Sequence, residues 1–187
     1  KRLVMARIPA AGVTWRMGSP EGETGRQTNE VPHYVTFTND YFVGVFPVTE
    51  DQATLAWGAN LFSSGTGYPS GALSYNEIRG TKGGDPDIDW PNTGSAVATN
   101  SLLGKLRAMT GLAFDIPTEA QFEYAARAGS AKAYPNNLDC LASTGADANL
   151  ALIGWYKANN NQKHPVGQKL PNAWGLYDVC GTIWEWC

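Results

Sequence analysis

The sequence predicts one loop-rich α+β domain. Its 187 residues are about the size of a single domain, and 43% of them are hydrophobic, which is enough for one core. The chain also contains 21 glycines, 11 prolines and 7 tryptophans. So many turn-forming residues argue against a helical bundle and favour short elements joined by turns. We therefore expect a few short strands and about three helices over residues 1–187.

Charge and hydropathy argue against two classes of protein. The net charge is −3 and there is no run of lysine or arginine, which argues against a nucleic-acid-binding protein. No apolar run reaches the roughly 18 residues that a transmembrane helix needs. We therefore predict neither a nucleic-acid partner nor a membrane span.

Three strands are predicted in the first quarter of the chain, after a short apolar run at residues 4–8. Residues 13–17 and 32–38 alternate apolar and polar side chains, which is the period of a half-buried strand. Residues 41–46 are more continuously apolar and indicate a more fully buried strand. His33 has too few neighbouring ligand types for a metal site, so we interpret it as a structural or surface histidine.

Three helices are predicted from capping signals. Thr49 with Gln52, and Thr118 with Gln121, have the spacing of capping boxes at the start of the first and third helices. Ser101 caps the second helix. Gly111 and Gly129 are expected to end the second and third helices. The apolar residues expected to face the core from the three helices are Ala53, Ala56, Trp57, Leu102, Leu103, Leu106, Met109, Phe122, Ala125 and Ala126.

The third predicted helix carries two carboxylates on one face. Glu119 and Glu123 are four residues apart, a spacing that would also suit acid–base chemistry. We favour a structural interpretation in which Glu119 complements the helix N-terminus and Glu123 pairs with Arg127.

An acidic alternation lies between the first two long helices. Asp85, Asp87 and Asp89 hint at cation binding, but the acidic residue that closes a calcium-binding loop at its twelfth position is missing. We interpret this stretch as a solvated insertion.

The C-terminal stretch, residues 171–187, contains the most informative residues. It places Asp178 and Glu185 among large aromatic side chains and glycines. Carboxylates in such surroundings must be hydrogen-bonded, paired with cations or bound to a metal, because an isolated buried charge is too costly. From these residues alone, turn hydrogen bonds for Asp178 and an arginine partner for Glu185 remain an alternative to a metal.

Two motifs resemble one family. Residues 175–178 and 181–186, Gly-Leu-Tyr-Asp and Gly-Thr-Ile-Trp-Glu-Trp, resemble the signature of the formylglycine-generating enzyme (sulfatase-modifying factor) family. Residues 114–129 resemble the family's Arg-Leu-Pro-Thr-Glu-Ala-Glu-Trp-Glu-Tyr-Ala-Ala-Arg segment. Asp115 replaces the family's arginine, which puts a family salt bridge in doubt, and Thr182 replaces an asparagine.

The resemblance implies a C-type-lectin-like fold that binds calcium. Members include copper oxidases that convert a sulfatase cysteine to formylglycine, iron-dependent ergothioneine synthases and hypervariable ligand-binding proteins. Matched position by position, one calcium site would use Asn149 through its side chain and Leu150 through its carbonyl, with further ligands from residues 157–162. The second site maps onto the side chains of Asp178 and Glu185 and the carbonyls of Gly181 and Ile183.

Two functional hypotheses follow from the resemblance. The first is a calcium-stabilised module that recognises a protein, peptide or glycan, in an extracytoplasmic or secreted location. The second is part of a copper oxidase. The resemblance places the catalytic cysteine pair of such an oxidase in a C-terminal portion beyond residue 187. Residues 1–187 would then be a truncated domain. Cys140, Cys180 and Cys187 form neither a disulfide framework nor a zinc pattern.

Overall fold

The computed structural model describes residues 2–58, 65–71, 73–80, 96–160 and 162–187. Asp85, Asp87 and Asp89, predicted to lie in a solvated insertion, fall outside these ranges. The strands are β1 (Met5–Ile8), β2 (Thr14–Met17), β3 (His33–Thr36) and β4 (Tyr41–Gly44), and the helices are α1 (Glu50–Trp57), α2 (Tyr75–Ile78), α3 (Leu102–Thr110), α4 (Glu119–Arg127) and α5 (Ala148–Ala151).

The four strands form two antiparallel pairs. β1 pairs with β4 and β2 pairs with β3. The three predicted strands are confirmed, and the apolar run before them forms β1. The prediction that residues 41–46 are more fully buried is wrong at Phe42, which is 63% exposed. Phe42 lies opposite Arg7 in the ladder, and Arg7 is itself exposed, so both side chains occupy the face turned away from the core.

The core joins the strands to α4 and to the C-terminal stretch. Its buried members are Ile8, Ala10, Phe37, Ala125 and Leu176. The ring of Tyr124 on α4 packs against Trp15, Phe37 and Trp174, with ring centroids 4.9–5.5 Å apart. Leu176 is 1% exposed, and full burial of such a side chain contributes about 1.5–3 kcal/mol, so it and the Trp174 ring hold residues 174–176 against α4.

The capping signals place the three longer helices correctly. The side-chain oxygens of Gln52 and Gln121 accept the main-chain N–H groups of Thr49 and Thr118, each at 2.9 Å. The prediction that Met109 faces the core is wrong, since it lies exposed in the last turn of α3.

Two further helices in the described part of the chain, α2 and α5, raise the number from about three to five. Each is four residues long, which is too short for hydrophobic periodicity to indicate it. Among the helices that the structure describes, none is long and apolar enough to cross a membrane.

A buried ion pair connects α2 to the segment before α4. Arg79 is fully buried and donates from Nε to Asp115 Oδ1 at 2.7 Å and from Nη2 to Oδ2 at 2.9 Å. Arg107 Nη2 donates to the same Oδ2 at 3.0 Å. Asp115 therefore forms a salt bridge in this chain, with Arg79 and Arg107 as its partners.

Candidate metal centre in the C-terminal loop

Asn172 fixes the turn that leads into the candidate site. Its Oδ1 accepts the N–H groups of Trp174 and Leu176, both at 3.0 Å. Its Nδ2 donates to the carbonyls of Ala125 and Ala126 at 2.8 and 2.9 Å. One buried amide side chain thus attaches residues 172–176, which precede the loop of residues 178–185, to the C-terminal end of α4.

Asp178 carries a buried oxygen that lacks a protein partner. The residue is 1% exposed and has a left-handed backbone with φ of +58°. Its Oδ2 accepts the Gly167 N–H at 2.6 Å, whereas Oδ1 has no hydrogen-bond partner among the described residues. Burial raises the pKa of this carboxyl, and the Gly167 N–H only partly opposes that rise. A buried carboxylate oxygen in this state needs a cation, a proton or a water.

Glu185 lies in the same electrostatic environment. The residue is exposed as a whole, yet burial of its carboxyl and the nearby charge of Asp178 raise its pKa to about 7. A carboxylate whose ionisation is disfavoured by burial and by a neighbouring carboxylate attracts a cation.

The loop between these carboxylates is held against Trp155. Gly181 forms a parallel bridge with Trp155, and the Thr182 N–H donates to the Trp155 carbonyl at 2.7 Å. The Ile183 N–H donates to the Gly181 carbonyl at 2.8 Å across Thr182, whose φ is +65°. The main chain is therefore fixed at the two predicted carbonyl ligands, Gly181 and Ile183.

We expect Gly181→Ala to destabilise the protein much more than Gly175→Ala. Both glycines have left-handed backbones, with φ of +76° and +77°, so each substitution incurs about 1–2 kcal/mol of backbone strain. At Gly181 the new Cβ would also lie 2.3 Å from the Trp155 carbonyl oxygen, whereas at Gly175 nothing lies within 4 Å. Urea denaturation of the two variants measures the difference, and equal losses of stability would contradict the close approach of the loop to Trp155.

Asn149 and Leu150 lie elsewhere, on α5. Asn149 Nδ2 donates to the Asp139 carbonyl at 2.8 Å. The Leu150 carbonyl accepts the N–H groups of Ile153 and Gly154 at 3.0 and 2.9 Å. The structure thus places four of the six nominated ligands in one loop and two on a separate helix.

The structure also places Glu123, Arg127 and His33, which the sequence indicates to be structural residues. The predicted pair of Glu123 and Arg127 is confirmed, with 2.8 Å between Oε1 and Nε. His33 is exposed and one ring nitrogen lies 2.9 Å from the Val31 carbonyl, as expected for a structural histidine. The described ranges hold no group of three or more His, Cys, Asp or Glu side chains that could share an ion. A metal centre in this loop would therefore depend on carbonyl and neutral oxygens beside its two carboxylates.

Sequence reasoning missed a large open cavity beside α4. Its volume is about 1030 Å³, and segments distant in the sequence line it. Its chemically distinctive residues are Arg26, Glu119, Glu123, Arg127, Tyr134 and Cys140. The face of α4 that carries Glu119 and Glu123 thus lines a cavity, which no local pattern could have indicated.

An aromatic stack supports the far side of the loop. The rings of Trp155 and His164 lie 3.8 Å apart and nearly parallel, and Lys169 Nζ lies 3.7 Å from the centroid of the Trp155 ring. Trp155 Nε1 and His164 Nε2 are both buried and have no hydrogen-bond partner among the described residues. These polar atoms add to the unsatisfied Asp178 oxygen in the region around the loop.

The cysteines near the loop lie in different surroundings. Burial raises the pKa of Cys180 to about 12, with Arg127 opposing the rise and Glu185 adding to it. Burial also raises the pKa of Cys187, and the charges of Glu185 and Glu119 add to that rise. Glu185 thus acts on both thiols, whereas the Arg127 charge acts on Cys180 and the Glu119 charge on Cys187.

Comparison with known proteins identifies the family. Residues 5–187 match the family described as "Sulfatase-modifying factor enzyme 1-like domain". The chain is 30% identical over 92 residues to the "Chaperone protein LppX" of Paenibacillus barcinonensis, a match that covers 40% of this chain and 30% of that protein. It is 34% identical over 82 residues to the "Formylglycine-generating enzyme" of Mycobacterium tuberculosis, covering 38% of this chain and 25% of that enzyme. Each match thus spans less than a third of the curated relative.

A solved structure with a similar fold is PvdO from Pseudomonas aeruginosa. It superposes with a TM-score of 0.66 at 28% identity and covers 94% of this chain and 66% of PvdO. This likeness confirms the predicted loop-rich α+β, C-type-lectin-like fold. Since the family match also spans both sequence motifs, this chain belongs to the sulfatase-modifying factor (formylglycine-generating enzyme) family.

Proposed function

We propose that this chain is a calcium-stabilised ligand-recognition domain of the sulfatase-modifying factor family. The observation that carries the calcium proposal is the buried Oδ1 atom of Asp178, which has no hydrogen-bond partner among the described residues. Calcium binds oxygen ligands, including carboxylates and main-chain carbonyls, and takes six to eight of them. The side chains of Asp178 and Glu185 with the carbonyls of Gly181 and Ile183 would supply such donors.

The second proposed calcium position, at Asn149 and Leu150, has weaker support. The Asn149 side chain is held by its bond to the Asp139 carbonyl, which fixes the amide plane. The Leu150 carbonyl, however, already accepts two main-chain N–H groups. We therefore expect the C-terminal loop to account for most of any calcium effect.

The proposed recognition role rests on the cavity beside α4. At about 1030 Å³ it is large enough for a small ligand or for a peptide or glycan segment. Its lining combines carboxylates, the guanidinium groups of Arg26 and Arg127, and the aromatic ring of Tyr134. This mixture of charged groups and an aromatic face suits a polar protein, peptide or glycan ligand.

Calcium is expected to raise the melting temperature of the full-length chain, because a ligand that binds only the folded state stabilises it by mass action. Replacing both Asp178 and Glu185 by Ala should abolish that rise. Asp178→Asn should also lose most of the calcium-dependent rise in melting temperature. In the presence of chelator, however, this variant should melt no lower than the unsubstituted protein, because the substitution removes a buried charge that has an unpaired oxygen. Differential scanning fluorimetry in calcium and in EGTA measures both effects.

Asp139→Ala is the matched control for the calcium experiment. Asp139 is a carboxylate near α5 whose side chain is 63% exposed and pairs only with Lys132 in the described part of the chain. This variant should keep the full calcium response. Identical melting curves of the unsubstituted chain in calcium and in EGTA would rule out the proposed metal centre.

The alternative function is part of a copper-dependent formylglycine-generating oxidase. It is favoured by the similarity to the Mycobacterium tuberculosis formylglycine-generating enzyme. Copper(I) binding by the full-length protein, followed by oxygen consumption with a sulfatase-type cysteine peptide, separates the two proposals. Tight thiolate binding with turnover would establish the oxidase, since soft thiolates select Cu(I). Failure of both would favour the recognition domain.

A further inference from the structure

Thr182 has a backbone conformation that its side chain disfavours. Its φ of +65° is in the left-handed region, where a β-branched residue is a genuine outlier. The hydrogen bond from Ile183 N–H to the Gly181 carbonyl, 2.8 Å long, closes a three-residue turn around it. A γ-turn with positive φ at its central residue is rare and strained. Strain of this kind persists where the surrounding structure or a ligand requires it.

The hydroxyl of Thr182 is also unsatisfied. Its Oγ1 is buried and has no hydrogen-bond partner among the described residues. Most buried side-chain oxygens do have such a partner, so each exception needs an explanation. The unpaired hydroxyl is an observation independent of the backbone strain.

A second unsatisfied oxygen lies in the same loop. Asp178 Oδ1 is buried without a partner among the described residues, and Asp178 also has a left-handed backbone. A single water or proton would explain either oxygen by itself. A cation at the loop would explain both oxygens, together with the strained conformation of Thr182, the residue between the proposed carbonyl ligands Gly181 and Ile183.

We propose that Thr182 Oγ1 is a further oxygen ligand of the calcium ion held by this loop. The inference rests on the proposed calcium centre and adds a ligand from this chain's own sequence. Asp178, Glu185 and the two carbonyls supply at least four oxygens, fewer than the six to eight that calcium takes. A neutral hydroxyl adds one donor without adding charge to a centre that already contains two carboxylates.

Two conservative variants separate the hydroxyl from the strain. Thr182→Val keeps the shape and the β-branched side chain but removes the oxygen, whereas Thr182→Ser keeps the oxygen and removes the β-branch. We expect Thr182→Val to bind calcium about tenfold more weakly, a loss typical of disturbed metal sites. Thr182→Ser should bind as the unsubstituted chain does. Isothermal titration calorimetry on the full-length chain measures both affinities.

Terbium provides a readout of coordination that a purely structural role of Thr182 would not change. Luminescence lifetimes of the Tb³⁺-loaded protein in H₂O and D₂O count the waters on the ion. Thr182→Val should carry one more coordinated water than the unsubstituted chain, and Thr182→Ser should carry the same number. Thr182→Gly, which relieves the strain and lacks the hydroxyl, should also gain a water and keeps the test possible if the valine variant does not fold.

The outcomes distinguish this inference from the function on which it rests. If the unsubstituted chain binds neither calcium nor terbium, the proposed calcium centre is contradicted, and so is the proposal that Thr182 is one of its ligands. If the unsubstituted chain binds but Thr182→Val and Thr182→Gly keep its affinity and its water count, the centre stands and Thr182 is not a ligand.

Discussion

Replacing Arg79 by Met is expected to lower the free energy of unfolding by about 3–5 kcal/mol, the cost of breaking a buried ion pair from one side. Arg79 is fully buried and forms a bidentate pair with Asp115, and its Nη2 also donates to the Ala96 carbonyl at 3.2 Å. Removing it leaves the Asp115 carboxylate, whose side chain is only 11% exposed, with fewer donors. Equilibrium denaturation in urea measures the loss.

Arg7→Met is the matched control for Arg79. Arg7 also pairs with an aspartate, Asp40, but its side chain is 66% exposed. An exposed pair contributes about 0–1 kcal/mol, so this variant should unfold at nearly the same urea concentration as the unsubstituted chain. Losses of similar size for the two variants would mean that the Arg79 pair is not buried as the structure describes.

Replacing Asp147 by Ala is expected to cost about 3 kcal/mol, because it removes a helix cap and leaves several main-chain N–H groups unpaired. The carboxylate of Asp147, which is itself buried, holds a whole segment in place. Its Oδ1 accepts the N–H groups of Asn149 and Leu150 at the start of α5. Its Oδ2 accepts the N–H groups of Leu141 and Ala142 and the hydroxyl of Tyr134.

The contribution of Asp147 should depend on pH. Burial alone would raise the pKa of this carboxyl, but its main-chain N–H donors and Tyr134 outweigh burial and lower the pKa to about 2, from an ordinary value of 3.8. A pKa that is lower in the folded state adds stability above pH 3.8, and that stability is lost as the pH falls toward 2. The stability difference between the unsubstituted chain and Asp147→Ala should therefore shrink over this range.

Asp139→Ala serves as the control for Asp147 as well. It removes a nearby carboxylate whose side chain is 63% exposed, while the main-chain carbonyl that accepts the Asn149 amide remains. Its stability should change little at neutral pH, and the change should not follow the titration expected for Asp147. A difference between Asp147→Ala and the unsubstituted chain that stayed constant from pH 5 to pH 2 would contradict the assigned role of this carboxylate.

The sequence predicts those features of the fold that depend on neighbouring residues. Thr118 and Gln121 are three positions apart, so the capping box that begins α4 is visible in the sequence and is confirmed. Asp147 caps α5 by the same physics, and an aspartate before a short helix is a signal that could have been found. The pair between Arg79 and Asp115 joins residues 36 positions apart, and no local pattern indicates it.

In the candidate site, too, the sequence predicts the residues but not the contacts that come from distant parts of the chain. The family resemblance predicts Asp178 as a calcium ligand. The structure adds that one of its carboxylate oxygens is buried without a partner in the described part of the chain. That property depends on the packing of Gly167 and Trp155 around the loop, which comes from distant parts of the chain. The strained turn at Thr182 likewise depends on the contact with Trp155 and is not visible from residue types.

The carboxylate of Asp115 lies between two guanidinium groups, so this position cannot be changed independently of its partners. An arginine at position 115 would lie against both Arg79 and Arg107, which now share the carboxylate. Substitutions at Asp115 and at either arginine should therefore be non-additive in a double-mutant cycle, because the three side chains form one network.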